Sequence, residues 1–487
     1  MHEPHMLDVE GSVYQAKWSH DGQHIAVTAA PTPLTDDYYM HQRIKIVKFH
    51  DWGVVAEINN PGKIGEITWS PDDRQLAFIS AADINDPIAG RIMTAPASGG
   101  PPTLITEGYE GQFDDIAWED DKTLRYLASK GVWSEYGEMR PDGSRQKVIV
   151  EPGGPVMYNF ALSEDGRHTA FVGDSPQHPR EVFYMGRRDK EPKRMTNSND
   201  WLVNVKLADQ EVVTWEARDG MELEGVLIKP LNYQEGQRYP LITDVHGGPE
   251  AHENNGWKTG YSTLGQVAAA YGYAVFYPNY RGSTGYGVEF AKSSQADPAG
   301  KEFDDIVDGV KHLVKSGIAD EDKVGVTGGS YGGYATGWLT TKYSDQFAAG
   351  VMFVGISNKV SKVGTTDIPD EEYYVHARKR PWDNWQFFLE RSPIYHAENS
   401  NTPLLIMHGE EDPRVNVGQS HEMYRHLKLR GNAPVRLVLY PGEGHGNRNA
   451  TARYDYNLRS LRWFNHYLMG EGGDKPPTEI KYETREP

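Results

Sequence analysis

The chain has 487 residues, a formal net charge of −19 and no cysteine. That length suits two or three domains. The acidic balance argues against nucleic-acid and anionic-membrane partners, and the missing thiols exclude disulfides, cysteine metal ligation and thiol catalysis. No apolar run is long enough to span a bilayer and the first six residues hold no signal-peptide core, so a cytoplasmic protein is expected, or a periplasmic or secreted one if the chain is a fragment lacking its N-terminus.

The first elements repeat. Trp18-Ser19-His20-Asp21-Gly22 leads into His24–Val27, and Trp69-Ser70-Pro71-Asp72-Asp73 leads into Gln75–Phe78. Trp118-Glu119-Asp120-Asp121 leads into Thr123–Tyr126, and Leu162-Ser163-Glu164-Asp165-Gly166 leads into His168–Phe171. The anchors Trp18, Trp69, Trp118 and Leu162 stand 51, 49 and 44 residues apart. A turn between two short strands, repeated at that step, predicts the blades of a β-propeller. Residues 1–210 are therefore expected to form about four blades, with their aspartates serving the turns. Residue 1 is followed almost at once by a blade, so the expectation is either a very small propeller or, as the favoured reading, an incomplete one in a chain that lacks earlier blades.

Residues 211–487 read as an α/β-hydrolase domain. Its first strands are Val212–Trp215 and Leu223–Ile228, joined by the Asp219-Gly220 turn. The strand Pro240–Val245 runs into His246-Gly247-Gly248-Pro249. A turn of that kind is the usual source of one oxyanion donor, because bare glycines let a backbone amide reach the substrate. The strand Lys323–Thr327 then runs into Gly328-Gly329-Ser330-Tyr331-Gly332 and a helix over Tyr331–Tyr343. This matches the G-x-S-x-G nucleophile elbow, in which a tight turn pushes the serine out of the sheet. The Tyr331 amide, at the helix start, points where an oxyanion would form. The charged, aromatic stretch Lys359–Trp385 occupies a lid position, with its aromatics expected either at a pocket or in packing.

A nucleophilic serine needs a base, and the base needs an orienting carboxylate. The strand Pro403–Met407 runs into His408-Gly409-Glu410-Glu411-Asp412-Pro413-Arg414-Val415. After a helix over Ser420–Leu429, the strand Val435–Tyr440 runs into Pro441-Gly442-Glu443-Gly444-His445-Gly446. Asp412 and His445 thus follow Ser330 in the order Ser, Asp, His, each just past a strand end, where open α/β sheets bind ligands. His408 competes as the base but ranks low, being too close to its strand. Glu410 and Glu411 compete as the acid, and spacing alone leaves them open.

With those motifs the chain resembles the prolyl oligopeptidase family of serine peptidases, closest to its acylaminoacyl peptidase and bacterial dipeptidyl peptidase branch. The resemblance also rests on Asn279-Tyr280-Arg281-Gly282-Ser283-Thr284-Gly285-Tyr286-Gly287 and Arg391-Ser392-Pro393-Ile394. It implies Ser330 as nucleophile, Asp412 as acid and His445 as base. It implies an oxyanion hole from Tyr331 and the His246–Gly247 segment, and backbone rather than side-chain donation there. It implies that Arg414 binds a substrate main-chain carbonyl; the alternative is an ion pair with Glu410 or Glu411. Dipeptidyl peptidases hold a free amino terminus with acidic side chains, for which Glu135 and Glu138 are weak candidates.

The expected function is a cofactor-free serine peptidase acting on short peptides, of acylaminoacyl or dipeptidyl type. The alternatives are a carboxylesterase with the same triad and an inactive hydrolase carried by a binding propeller. The amide and ester chemistries share one fold. Neither nucleic acid nor membrane is an expected partner, and a homo-oligomer is left open.

Overall fold

A computed structural model describes residues 6–470 and 476–479. Its N-terminal part is four consecutive four-stranded antiparallel sheets, each with its strands in chain order. The first holds β1 (Ser12–Trp18), β2 (His24–Ala30), β3 (Arg43–Lys48) and β4 (Val54–Ile58). The second holds β5 (Ile64–Trp69), β6 (Gln75–Ser80), β7 (Arg91–Pro96) and β8 (Thr103–Leu104). The third holds β9 (Gln112–Asp120), β10 (Thr123–Lys130), β11 (Trp133–Met139) and β12 (Lys147–Val150). The fourth holds β13 (Val156–Leu162), β14 (His168–Ser175), β15 (His178–Gly186) and β16 (Lys193–Arg194).

The repeated turns share one chemistry. Ser19 Oγ donates to Asp21 at 2.6 Å and accepts the His24 amide at 2.9 Å. Ser70 does the same with Asp72 and Gln75, and Ser163 with Asp165 and His168. The residue after each aspartate is left-handed: Gly22, Asp73 and Gly166 have φ of 67°, 57° and 64°. Asp73 is the one without glycine's freedom, and its carboxylate has another use. It accepts the backbone amides of His20 and Asp21 from the preceding sheet's turn, at 2.8 Å each.

The anchor tryptophans join neighbouring sheets. The Trp69 indole donates to the Lys17 carbonyl at 2.9 Å, and the Trp118 indole to the Thr68 carbonyl at 3.4 Å. Between the third and fourth sheets Asp115 does this work, accepting the Phe160 amide at 3.1 Å. Apolar side chains fill each joint: Ile44 and Ile46 with Ile67 and Trp69, Ile79 and Ile92 with Phe113 and Tyr126, Tyr136 with Phe171 and Phe183. Trp18, the first anchor, is 53% exposed and rests edge-on against Phe49 of its own sheet.

The C-terminal part is one eight-stranded sheet in the order β17-β18-β20-β19-β21-β22-β23-β24. Its strands are β17 (Gln210–Glu216), β18 (Glu222–Ile228), β19 (Tyr239–Val245), β20 (Ala274–Asn279), β21 (Ala319–Gly329), β22 (Ala349–Phe353), β23 (Leu404–Gly409) and β24 (Val435–Tyr440). β17, β18 and β20 pair antiparallel, and every pairing from β20 to β24 is parallel. Parallel strands need crossovers, and the helices that supply them cover both faces of the sheet. One face packs Phe276, Phe303 and Tyr334, the other Tyr273, Trp463 and Phe464. Among the described residues, no helix is long and apolar enough to cross a membrane.

Candidate active site

Ser330 follows the central strand β21 and caps the helix Tyr331–Lys342 with φ 59° and ψ −118°. A left-handed serine is strained, and such strain gathers at functional sites. The glycines around it are required by close approach. A Cβ on Gly328 would lie 2.4 Å from the Val245 carbonyl oxygen, and one on Gly332 would lie 1.9 Å from it. The serine amide is tied to the Phe353 carbonyl of β22 at 3.0 Å. The next residue, Val354, is also left-handed at φ 41°, an unusual state for a β-branched side chain.

The His246–Pro249 turn lies against this elbow. A Cβ on Gly247 would stand 2.9 Å from the Gly329 carbonyl oxygen, 3.3 Å from the Ser330 Cβ and 3.8 Å from the Tyr331 nitrogen. The His246 ring is used elsewhere. It stacks on Tyr280 at 4.4 Å between ring centres and bonds the Gly247 carbonyl and the Ser283 hydroxyl, at 2.8 and 2.9 Å. Burial lowers its pKa, so the ring stays neutral. With the side chain committed, the backbone of the turn is what lies against the elbow.

Past β23 and β24 the other two candidates meet: His445 Nδ1 is 2.7 Å from Asp412 Oδ2. Asp412 also accepts the backbone amides of Arg414 and Val415, at 2.9 and 3.0 Å. Burial alone would raise its pKa, but hydrogen bonds from His408 and His445 outweigh burial and hold it below the usual carboxylate range. It is buried, whereas Glu410 and Glu411 are exposed. The histidine geometry separates the two bases in the same way. His408 is fully buried and bonds Val415 O and Ser420 Oγ at 2.8 and 2.6 Å, with Asp412 at 3.2 Å, whereas the His445 side chain is 25% exposed. The supporting place of His408 behind Asp412 is visible only in the folded chain.

A cavity of about 410 Å³ opens at Ser330, lined by Tyr331 and Gly248 from the elbow side and by Arg414 and Val415 from the Asp412 loop. Connections of the N-terminal part close it with Tyr39 and Gln42, between β2 and β3, and Lys63, just before β5. Arg414 pairs with Asp367 at 2.6 Å and lies 5.1 Å from the Tyr39 ring centre. Its carboxylate partner is thus neither Glu410 nor Glu411. The lid contributes charge where aromatics were one expectation: Lys362, Glu371, Glu372 and His376 line the cavity, while Trp382 and Trp385 are exposed. Glu135 and Glu138 lie elsewhere, inside the third sheet. Glu135 accepts the hydroxyls of Tyr109 and Tyr126, and Glu138 pairs with Arg125.

The cavity wall is an ion network that no sequence motif announces. His376 Nε2 meets Glu250 Oε1 at 2.7 Å, and Lys359 and Lys362 meet Glu372 at 2.6 and 3.2 Å. Lys63, just before the second sheet, pairs with Glu371. Burial works against the His376 charge, but Glu250 and Glu372 outweigh it and push the pKa up to about 9. The only local signal was Glu250 directly behind the His-Gly-Gly-Pro turn.

Known proteins are similar to this chain in sequence and in fold. Residues 259–471 match the model of the prolyl oligopeptidase family. The chain is 33% identical over 316 residues to the uncharacterized peptidase YuxL of Bacillus subtilis, covering 64% of this chain and 47% of that one. It is 40% identical over 212 residues to dipeptidyl aminopeptidase BIII of Pseudoxanthomonas mexicana, covering 42% of this chain and 30% of that one. The chain thus spans less than half the length of these two relatives. In fold it is similar to the acylaminoacyl peptidase of Pyrococcus horikoshii, with a TM-score of 0.77 at 23% identity over 94% of this chain and 72% of that one.

Proposed function

We propose that the chain, which over residues 259–471 belongs to the prolyl oligopeptidase family, is a serine peptidase that cleaves short peptides through an acyl-enzyme. The observation that carries this reading is the strained Ser330 elbow, with Gly247 against it, opening on the cavity that Arg414 lines. Ser330 Oγ attacks the peptide carbonyl and His445 takes its proton at Nε2. Asp412 holds the other ring nitrogen and stabilises the imidazolium. Negative charge on the carbonyl oxygen is met by the Tyr331 amide and by the backbone of His246–Gly247. His445 returns the proton to the leaving amine, and water then releases the acyl group by the same steps. Arg414 holds a main-chain carbonyl on the acyl side.

The cavity favours a blocked amino terminus over a free one. A free ammonium needs a spare carboxylate, and Glu250, Glu371 and Glu372 are each already matched by a cation. The acceptor left open there is neutral: Gln42 Oε1 is buried, lines the cavity and has no hydrogen-bond partner. It suits an amide N–H. The test is hydrolysis of N-acetylated amino-acid anilides, free-amino dipeptidyl anilides and short-chain nitrophenyl esters, with Ser330→Ala as the blank. Faster cleavage of the acetylated set supports this reading. Faster cleavage of the free-amino set would make it a dipeptidyl peptidase, and cleavage of esters alone an acyl hydrolase.

A further inference from the structure

The Ser330 cavity and the side chains directly behind its wall, Lys359 among them, hold more cations than carboxylates to receive them. Lys63, Lys359, Lys362 and His376 are matched by Glu250, Glu371 and Glu372. Each carboxylate already carries at least one cation, and Glu372 carries two lysines with His376 Nδ1 a further 3.4 Å away. That last approach is an ion contact without hydrogen-bond geometry, so one carboxylate, Glu372, is shared by three cations. Lys362 has three N–H donors and two acceptors, Glu372 and Thr366 Oγ1. Arg414 and Asp367 balance one another. Asp36, near Glu371, has its oxygens taken by the amides of Asp370 and Glu371.

Two of these donors flank the Ser330 elbow. His376 stands 6.0 Å, ring centre to ring centre, from Tyr331, the residue after the nucleophile. His376 and Lys362 line the same cavity as Ser330 and are themselves more than nine-tenths buried. A buried charge left without a full partner is costly, and an acceptor brought by the substrate recovers part of that cost. The direction of the Lys362 pKa agrees: burial lowers it despite Glu372.

We propose that this wall is the pocket for the side chain of the residue whose carbonyl Ser330 attacks, and that it selects a carboxylate there, aspartate or glutamate. The proposal rests on the peptidase reading above. An apolar side chain would leave three cations sharing Glu372 and the third Lys362 donor without an acceptor, and a lysine or arginine would add a further cation. A second source of the same chemistry is the free α-carboxylate of the leaving residue.

The experiment uses the whole chain. Reaction with a fluorophosphonate probe, lost in Ser330→Ala, first tests the nucleophile independently of any pocket; no labelling would sink the peptidase reading itself. On labelled-competent protein, kcat/KM is compared for acetyl-Glu, acetyl-Gln, acetyl-Leu and acetyl-Lys anilides. Glutamate should exceed its neutral isostere by about tenfold, since charge-assisted bonds are the stronger kind. Leucine or lysine at or above glutamate overturns the proposal. If no anilide turns over, protection against labelling by the four acetyl amino-acid amides gives the same ranking, and equal protection overturns it. Acetyl-Leu-Ala is compared with its carboxamide; a gain confined to the free acid assigns the carboxylate to the leaving residue and overturns the side-chain pocket. In Lys362→Gln the Glu-to-Gln ratio should fall severalfold, and an unchanged ratio in folded protein removes Lys362 from the pocket.

Discussion

The two halves of the molecule solve the same problem, burying β-structure, in opposite ways. Each N-terminal sheet pairs strands that are neighbours in sequence, and each joint repeats a few contacts one blade-length apart. The C-terminal sheet places β20 between β18 and β19 and gathers its candidate catalytic residues from the ends of three strands. Repetition spreads stability over many equivalent contacts, whereas the catalytic sheet concentrates function in a few that have no substitute.

That contrast can be broken from its strongest side first. Ser330→Ala should abolish anilide turnover while thermal unfolding stays near that of the parent. His445→Ala should lower kcat by about 10⁴-fold, and Asp412→Asn by a similar factor because the imidazole loses its orienting charge. If Glu411→Ala proves more damaging than Asp412→Asn, the acid is misassigned. Substitution in the sheets should move stability and leave kcat alone. Trp69→Ala, which removes a buried indole and its bond to Lys17 O, should cost about 3–5 kcal/mol in urea unfolding. Trp18→Ala, the same repeat position with an exposed ring, should stay within about 0.5 kcal/mol. A kcat loss in Trp69→Ala at saturating substrate would show that the halves are coupled more tightly than their packing implies.

The cavity wall sharpens the comparison through pH. His376 has its pKa raised to about 9 by Glu250 and Glu372, above the unfolded value near 6.5. Its contribution to stability is therefore complete below about 6.5 and is lost as pH rises through about 9. Denaturant midpoints should fall between pH 7 and 9.5 in the parent and fall less in His376→Gln. Asp412 has the opposite sign. Its pKa is depressed, so its contribution is present above about 4 and is lost only as the solution becomes more acidic than that.

Much of this was legible in the chain because it is local. The Ser19, Ser70 and Ser163 turns need only residues two and five positions apart, and the glycines flanking Ser330 answer to carbonyls that every such elbow brings close. What sets Asp412 apart from Glu410 and Glu411 is not local. It follows from burial at the loop's base and from His408 and His445 converging on one carboxylate. The partner of Arg414 came from the lid, 47 residues earlier, and sequence proximity had pointed to the wrong glutamates.

By itself the sequence determined the elements, their order and the elbow, because strand period, turn chemistry and glycine placement act over a few residues. Only the tertiary structure decided what Ser330 faces. Lys63, just before the second sheet, meets Glu371 of the lid across 308 positions, and Glu250 meets His376 across 126. Charges spaced so far apart have no pattern along the chain. They become a pocket only when burial removes the water that would otherwise make each of them indifferent to the rest.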